Sequence, residues 1–170
     1  PMALGSGSVT PMQMAVGYSV FANGGYRIAP YFIKKIEDEK GNVLEQFQPV
    51  STSNGAKRVI DPRNAFIMTN MMQDVINFGT AVKAKQLGRT DLAGKTGTTS
   101  NYIDAWFCGY QKNLVTISWM GYDEPKSLGS NETGGRVALP IWMDYMKSVM
   151  KDVPMADYKA PSGITATKIN

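Results

Sequence analysis

From Ala93 to Gly121 the chain reads as three short strand segments in close succession, at 93–98, 105–110 and 114–121, and this run restricts the fold more than any other stretch. Trp106, Cys108 and Tyr110 fall on one face of the second segment, and Val115, Ile117 and Trp119 on one face of the third. That is the period-two pattern of strands. Only Gln111-Lys112-Asn113 separates the last two, too little for a crossover, so they must be antiparallel neighbours. A meander with helices before and after it predicts an α+β architecture, an antiparallel sheet flanked by helices.

The flanking helices announce themselves through their ends. Thr10-Pro11-Met12-Gln13 holds a capping threonine, a proline where no N–H is needed and a glutamine able to reach back, the signals of a helix start. Met14, Tyr18 and Phe21 recur at helical spacing and Asn23-Gly24-Gly25 stops the run, which predicts a helix over 11–22. Tyr31–Ile36 and Val43–Phe47 flank a turn at Gly41 and read as a hairpin, followed by a polar loop over 48–60. Asp61-Pro62 opens a second helix that runs to Asn77-Phe78-Gly79, with Phe66, Met71, Met72 and Val75 as a core-filling face. After a Gly-rich loop at 129–135, where Gly134-Gly135 reads as a turn, Pro140 opens a last helix bearing Ile141, Trp142, Tyr145, Met146 and Val149. The segment from Val153, with Pro154, Pro161 and Gly163, reads as irregular, dividing the chain into a unit at 1–152 and a tail at 153–170.

Composition removes whole classes of chemistry. Apolar residues make up 43% of the 170 positions and charged residues 19%, a globular balance. There is no histidine, which excludes Ser-His-Asp triads, Cys-His pairs and the usual zinc sites. The one cysteine, Cys108, can form no internal disulfide, and beside Trp106 and Tyr110 it reads as a small buried hydrophobe. Nucleophilic catalysis would have to use lysine as its base. The net charge of +4 is spread without a run of four basic residues, which speaks against a nucleic-acid groove. No apolar stretch reaches the roughly 18 residues that cross a bilayer, and no signal peptide is present. The chain begins at Pro1 rather than Met and reads as a piece of a longer protein.

Gly94-Lys95-Thr96-Gly97-Thr98-Thr99 is the segment with chemistry in it. On an edge strand, Gly97 would let a substrate backbone lie close and pair with the strand. Lys95 would supply a fixed positive charge, the hydroxyls of Thr96 and Thr98 could hold a carboxylate, and an N–H near Thr98 could face an oxyanion. The three letters Lys-Thr-Gly alone fit an ordinary strand with a solvated lysine equally well.

The surroundings are more specific. GSGSVTPMQMAVGYSVFANGGYRIAPYFI, GRTDLAGKTGTTSNYIDAWFCGYQKNLVTISWMGYDEP and TGGRVALPIWMDYM, in that order, resemble the class A penicillin-binding proteins, bifunctional peptidoglycan synthases with a glycosyltransferase and a transpeptidase domain. The resemblance runs through most of residues 3–150 and implies the C-terminal part of a transpeptidase domain of β-lactamase-like fold. It implies that Lys95, Thr96, Gly97 and Thr98 are the family's substrate-binding strand, whose Lys and Thr hold the carboxylate of a stem peptide or β-lactam. The amide of Thr98 would then be half of an oxyanion hole, and Asp104-Ala105-Trp106-Phe107 a packing strand.

The nucleophilic serine, its lysine and a Ser-x-Asn motif lie upstream in that family, so no catalytic residue is expected in this chain. Ser148-Val149-Met150-Lys151 matches Ser-x-x-Lys by letter only, because it follows the Lys-Thr-Gly segment. The implied parent is an extracytoplasmic D,D-transpeptidase on the periplasmic face of the inner membrane, working through a serine acyl-enzyme without metal or cofactor. Its implied partners are peptidoglycan stem peptides, β-lactams and the upstream half of the same domain, with no nucleic acid, and with the membrane met only through an N-terminal segment outside this chain. A non-catalytic β-lactam sensor or scaffold and a hydrolytic relative, a carboxypeptidase or β-lactamase, are the competing expectations.

Overall fold

The computed structural model describes Gly5 and residues 7–167, so the first positions of the 1–152 unit and the last three of the 153–170 tail lie outside the described residues. Helix α1 (Pro11–Ala22) starts as its sequence requires. The Gln13 amide donates to the Thr10 hydroxyl at 3.2 Å and the Thr10 amide to the Gln13 side chain at 2.8 Å, a reciprocal cap. Four short strands follow in part of the sequence: β1 (Tyr26–Arg27), β2 (Lys35–Glu37), β3 (Val43–Gln46) and β4 (Lys57–Arg58).

The expected hairpin exists as β2–β3, with Asp38 accepting from the amides of Lys40 and Asn42 in its turn. Its first strand begins at Lys35, however, and not at Tyr31. The Phe47 amide still reaches the Lys34 carbonyl at 3.0 Å, but pairing goes no further, and Phe32 and Ile33 are 85% and 64% exposed. β-Rich composition becomes a strand only where a partner lies alongside. The loop expected over 48–60 also needs correction, since β4 within it pairs antiparallel with β1.

Helix α2 (Pro62–Asn77) is capped by Asp61, which accepts from the Arg63 amide at 2.9 Å. Its buried stripe is Ala65, Thr69, Met72 and Ile76, the spacing of one helix face. Met72 belongs to that face. Met71, one position and about 100° further round the helix, is 58% exposed and fills no core among the described residues. An unforeseen 3₁₀ helix, Val82–Leu87, buries Ala84 against the sheet region.

The meander forms as expected, from β5 (Ala93–Thr98), β6 (Ala105–Gln111) and β7 (Leu114–Met120), all antiparallel and in the order β5-β6-β7. The ends of β6 and β7, Gln111 and Leu114, pair across Lys112-Asn113. Two clusters hold the sheet. Ala105 and Phe107 pack with Leu139, Trp142 and Met146 in one, and Ala93 and Tyr110 with Ala22 and Met72 in the other. Phe107 and Trp142 meet edge to face at 4.8 Å, both fully buried, and side chains of this size contribute about 1.5–3 kcal/mol each.

The last helix is entered differently from expectation. Gly134–Ala138 is a π-helical turn running straight into α3 (Leu139–Val149), so Gly134-Gly135 opens the helical run instead of ending a loop. Leu139, Trp142 and Met146 are buried, whereas Ile141, Tyr145 and Val149 are 48%, 48% and 39% exposed. Residues 153–167 contain neither helix nor strand, yet they are anchored: Arg89 donates to the carbonyls of Val153 and Pro154, and the Ala156 amide donates to Asp91.

Candidate functional site

Helix α2 gives Met72 to one core cluster and Ile76 to the other, so it lies across the β5 side of the sheet. It covers only the first half of that strand. Ala93 and Gly94 are buried, Thr96 and Gly97 half-buried, and Lys95 and Thr98 exposed. Beyond Thr98 the amide of Thr99 donates to the Asp104 carbonyl at 3.0 Å. Antiparallel pairs alternate between bonded and unbonded, so the N–H and C=O groups of Thr98 and Thr96 turn away from β6 toward the free edge. The Thr96 carbonyl meets the Lys95 ammonium there, at 2.9 Å from Nζ.

Lys95 and Thr96 point to opposite faces as neighbours on a strand, and the lysine nevertheless crosses the edge to lie 3.4 Å from Thr96 Oγ1. The same oxygen stands 2.6 Å from Thr80 Oγ1, which comes from the turn after α2. Thr98 is occupied from another side: its hydroxyl accepts from the Gly134 amide at 3.1 Å. The structure thus joins Lys95 to Thr96, while Thr98 is tied to the π-helical turn.

That turn presses on the strand because its first two residues lack side chains. A Cβ on Gly134 would run into the carbonyl oxygens of Gly97 and Trp106, and one on Gly135 would come within 2.9 Å of the Thr80 carbonyl. Gly97 faces the other way, and an added Cβ would sit 3.2 Å from Trp106 Cβ. That tight seat on Trp106 is a contact within the sheet.

The link from β5 to β6 is stiff. Asp104 donates its amide to Thr99 Oγ1 at 2.7 Å and its carboxylate accepts from Trp119 Nε1 at 2.9 Å. Asp104 is therefore a polar anchor, while Ala105 and Phe107 of the same segment pack as expected, fully buried. The Leu128 amide donates to the Tyr102 carbonyl at 2.8 Å. Asn101, Tyr102 and Asn131 hold left-handed φ of 61°, 54° and 64°, a conformation that costs non-glycine residues about 1–3 kcal/mol each and that must be held by these contacts.

Among the described residues, neither Cys108 nor Ser148 is hydrogen-bonded to a base. Burial pushes the Cys108 thiol up to about 12 against a weaker, lowering hydrogen bond from Tyr18, so no thiolate forms near neutral pH. Ser148 lies exposed in the last turn of α3 and Lys151 in the turn beyond it, with no hydrogen bond between them. The sequence singled out Lys95, Thr96, Gly97 and Thr98 and gave no pairing of Thr80 and Gly134 with them. The adjacent glycines at 134–135, directly before an apolar helical run, were the available sign of close backbone packing.

Residues 2–147 match the family described as the penicillin binding protein transpeptidase domain. Penicillin-binding protein 1A of Neisseria lactamica is 50% identical over 165 residues, covering 97% of this chain and 21% of that protein. The chain thus spans about a fifth of the length of this curated relative. The crystal structure of penicillin-binding protein 1A from Haemophilus influenzae superposes with a TM-score of 0.92 at 32% identity, over 99% of this chain and 30% of that one. Penicillin-binding protein A of M. tuberculosis, an imipenem acyl-enzyme complex, shares the fold at 23% identity and a TM-score of 0.62, over 84% of this chain and 31% of that one.

Proposed function

The chain belongs to the penicillin-binding-protein transpeptidase family, and from that premise we propose that it is the substrate-binding part of a peptidoglycan D,D-transpeptidase that is acylated by β-lactams. The observation that carries the proposal is the free half of β5, where an ammonium, a threonine hydroxyl and outward-facing backbone amides share one edge. An extended acyl-D-Ala-D-Ala stem pairs with such an edge as an added strand. Its terminal carboxylate meets Lys95 and Thr96, and the Thr98 amide donates to the oxygen that becomes negative as the carbonyl is attacked.

The serine that attacks, and the lysine that takes its proton, belong to residues preceding this stretch in the parent protein. Serine attack forms an acyl-enzyme and expels the terminal D-alanine, whose amine takes up the proton. The amine of a second stem then displaces the serine and closes the cross-link. A β-lactam enters by the same route, with its ring C–N bond broken in place of the peptide bond. The remainder of the parent protein, in this proposal, carries a glycosyltransferase domain and a membrane anchor and works on the periplasmic side, as the resemblance to the class A penicillin-binding proteins implies. Among the described residues no helix is long and apolar enough to cross a membrane. The 1–152 stretch is assigned to the transpeptidase domain and the tail to a C-terminal strap on it.

The test is covalent labelling of the full-length parent protein by a fluorescent penicillin. A charge-assisted hydrogen bond contributes about 1.5–3 kcal/mol, so Lys95→Ala should slow acylation about tenfold to a hundredfold while leaving the melting temperature nearly unchanged. Thr96→Val should show a milder loss. A Lys95→Ala protein labelled at the parent rate would sink the assignment.

A further inference from the structure

Resting on the reading of β5 as a carboxylate-binding edge, we propose that Thr80 is a positioning residue that orients the Thr96 hydroxyl toward an ionised carboxylate. Thr80 sits outside the Lys95–Thr98 segment, in the turn between α2 and the 3₁₀ helix, and its Oγ1 lies 2.6 Å from Thr96 Oγ1. Its place is set by backbone contacts. The amides of Gly79 and Ala81 both donate to the Val75 carbonyl at 3.1 Å, and Ala81 is fully buried. Gly135 closes the arrangement from the third side, its missing Cβ position 2.9 Å from the Thr80 carbonyl and 3.6 Å from Thr96 Cγ2.

Proton counting assigns the direction of the bond. Each threonine hydroxyl has one proton and can accept as well. A carboxylate ion only accepts, so Thr96 must donate to it. The 2.6 Å contact then survives only if Thr80 donates to Thr96, which makes a chain running from Thr80 through Thr96 to the carboxylate. Lys95 Nζ, 3.4 Å from the same oxygen, supports that polarity, because an ammonium beside Thr96 Oγ1 favours its use as an acceptor from the protein and a donor to the anion. Donor chains strengthen each link. An ester at this point is a weaker, uncharged acceptor, so it keeps the direction of the chain but less of its strength. Thr80 therefore acts on selectivity for the charged acid, through Thr96, without touching the reacting carbonyl.

The experiment compares acylation rates of the full-length parent protein and its Thr80→Val, Thr80→Ser and Lys95→Ala variants. The probes are a penicillin and the same penicillin with its carboxylate methylated. Losing one neutral hydrogen bond should slow acylation by the free acid about threefold to tenfold in Thr80→Val. The methyl ester, a weaker acceptor, should be slowed less in that variant, by no more than about twofold, and Thr80→Ser should restore the free-acid rate to within about twofold. Equal slowing on acid and ester, no slowing at all, or failure of the serine variant to recover would overturn the role of Thr80. If Lys95→Ala slows acylation while Thr80→Val does not, this inference alone falls. If the parent protein takes no label, or Lys95→Ala keeps the parent rate, the reading on which it rests falls with it.

Discussion

At Gly134 an added Cβ would run into the carbonyl oxygens of Gly97 and Trp106, both backbone atoms of the sheet, so a larger residue finds no flexible neighbour to displace. Gly134→Ala should therefore lift the π-helical turn off β5, break the bond from its amide to Thr98 Oγ1 and cost about 1–3 kcal/mol. Gly17, on the exposed side of α1 with nothing within 4 Å of its missing Cβ, is the opposite case. Its change to alanine should stabilise by about 0.5–1 kcal/mol. Melting temperatures of the two variants in the parent protein should move in opposite directions, and a shared sign would contradict the steric account. The same contrast bears on legibility. Lys95 to Thr98 could be read because the residues are consecutive. Thr80 and Gly134 reach them across 16 and 36 positions, and a single sequence does not display such pairings.

Elements with local causes were readable. The boundaries of α1 and the start of α2 follow from side chains within three residues of the cap, and β6–β7 from a link too short for anything but a hairpin. The β1–β4 pair was not readable, because two-residue strands have no period and its register, Tyr26 opposite Arg58, is set by tertiary closure. Nor was the anchoring of the tail, which depends on a buried ion pair. Asp91 is 1% exposed and accepts from Arg89 Nε at 2.9 Å, Arg89 Nη2 at 2.7 Å, Gln111 at 3.1 Å and the Ala156 amide at 2.8 Å. Burial opposes its ionisation, but the bonds from Arg89, Ala156 and Gln111 together hold its pKa below the ordinary carboxylate value. A depressed folded pKa stabilises fully above the unfolded value near ~4 and is lost as pH falls through the lower folded value. Protection of the Ala156 amide, its exchange measured against the intrinsic rate at each pH, should fall across that acid range. Asp91→Asn, which leaves Arg89 buried without its anion, should cost about 3–5 kcal/mol and abolish the acid-dependent step. Protection that stays constant through that range in the parent protein would show that the tail is held by something else.

For the molecule as a whole, surface area decides what the chain can do alone. Its accessible surface is 11607 Å², whereas a compact folded monomer of 18.6 kDa exposes about 8,200 Å². The excess includes large apolar side chains spread over several elements: Phe32 at 85% exposure, Phe78 at 84%, Leu44 at 67% and Met71 at 58%. Exposed apolar area on this scale belongs to interfaces, and the free half of β5 adds an unpaired strand edge. Helix α2 packs on the sheet through Met72 and Ile76, which leaves Met71 on its outer side and Phe78 just beyond its end uncovered. We therefore expect the isolated 170-residue chain to self-associate, to bind a hydrophobic dye and to take no covalent penicillin label. Co-expression with the preceding part of the parent protein should suppress both association and dye binding and restore labelling. Sedimentation, dye fluorescence and labelling on the two samples check this together. A dye-silent monomer that unfolds in one cooperative step would show that the exposed faces are stable in water, and label at Ser148 would show that the chain holds a nucleophile of its own.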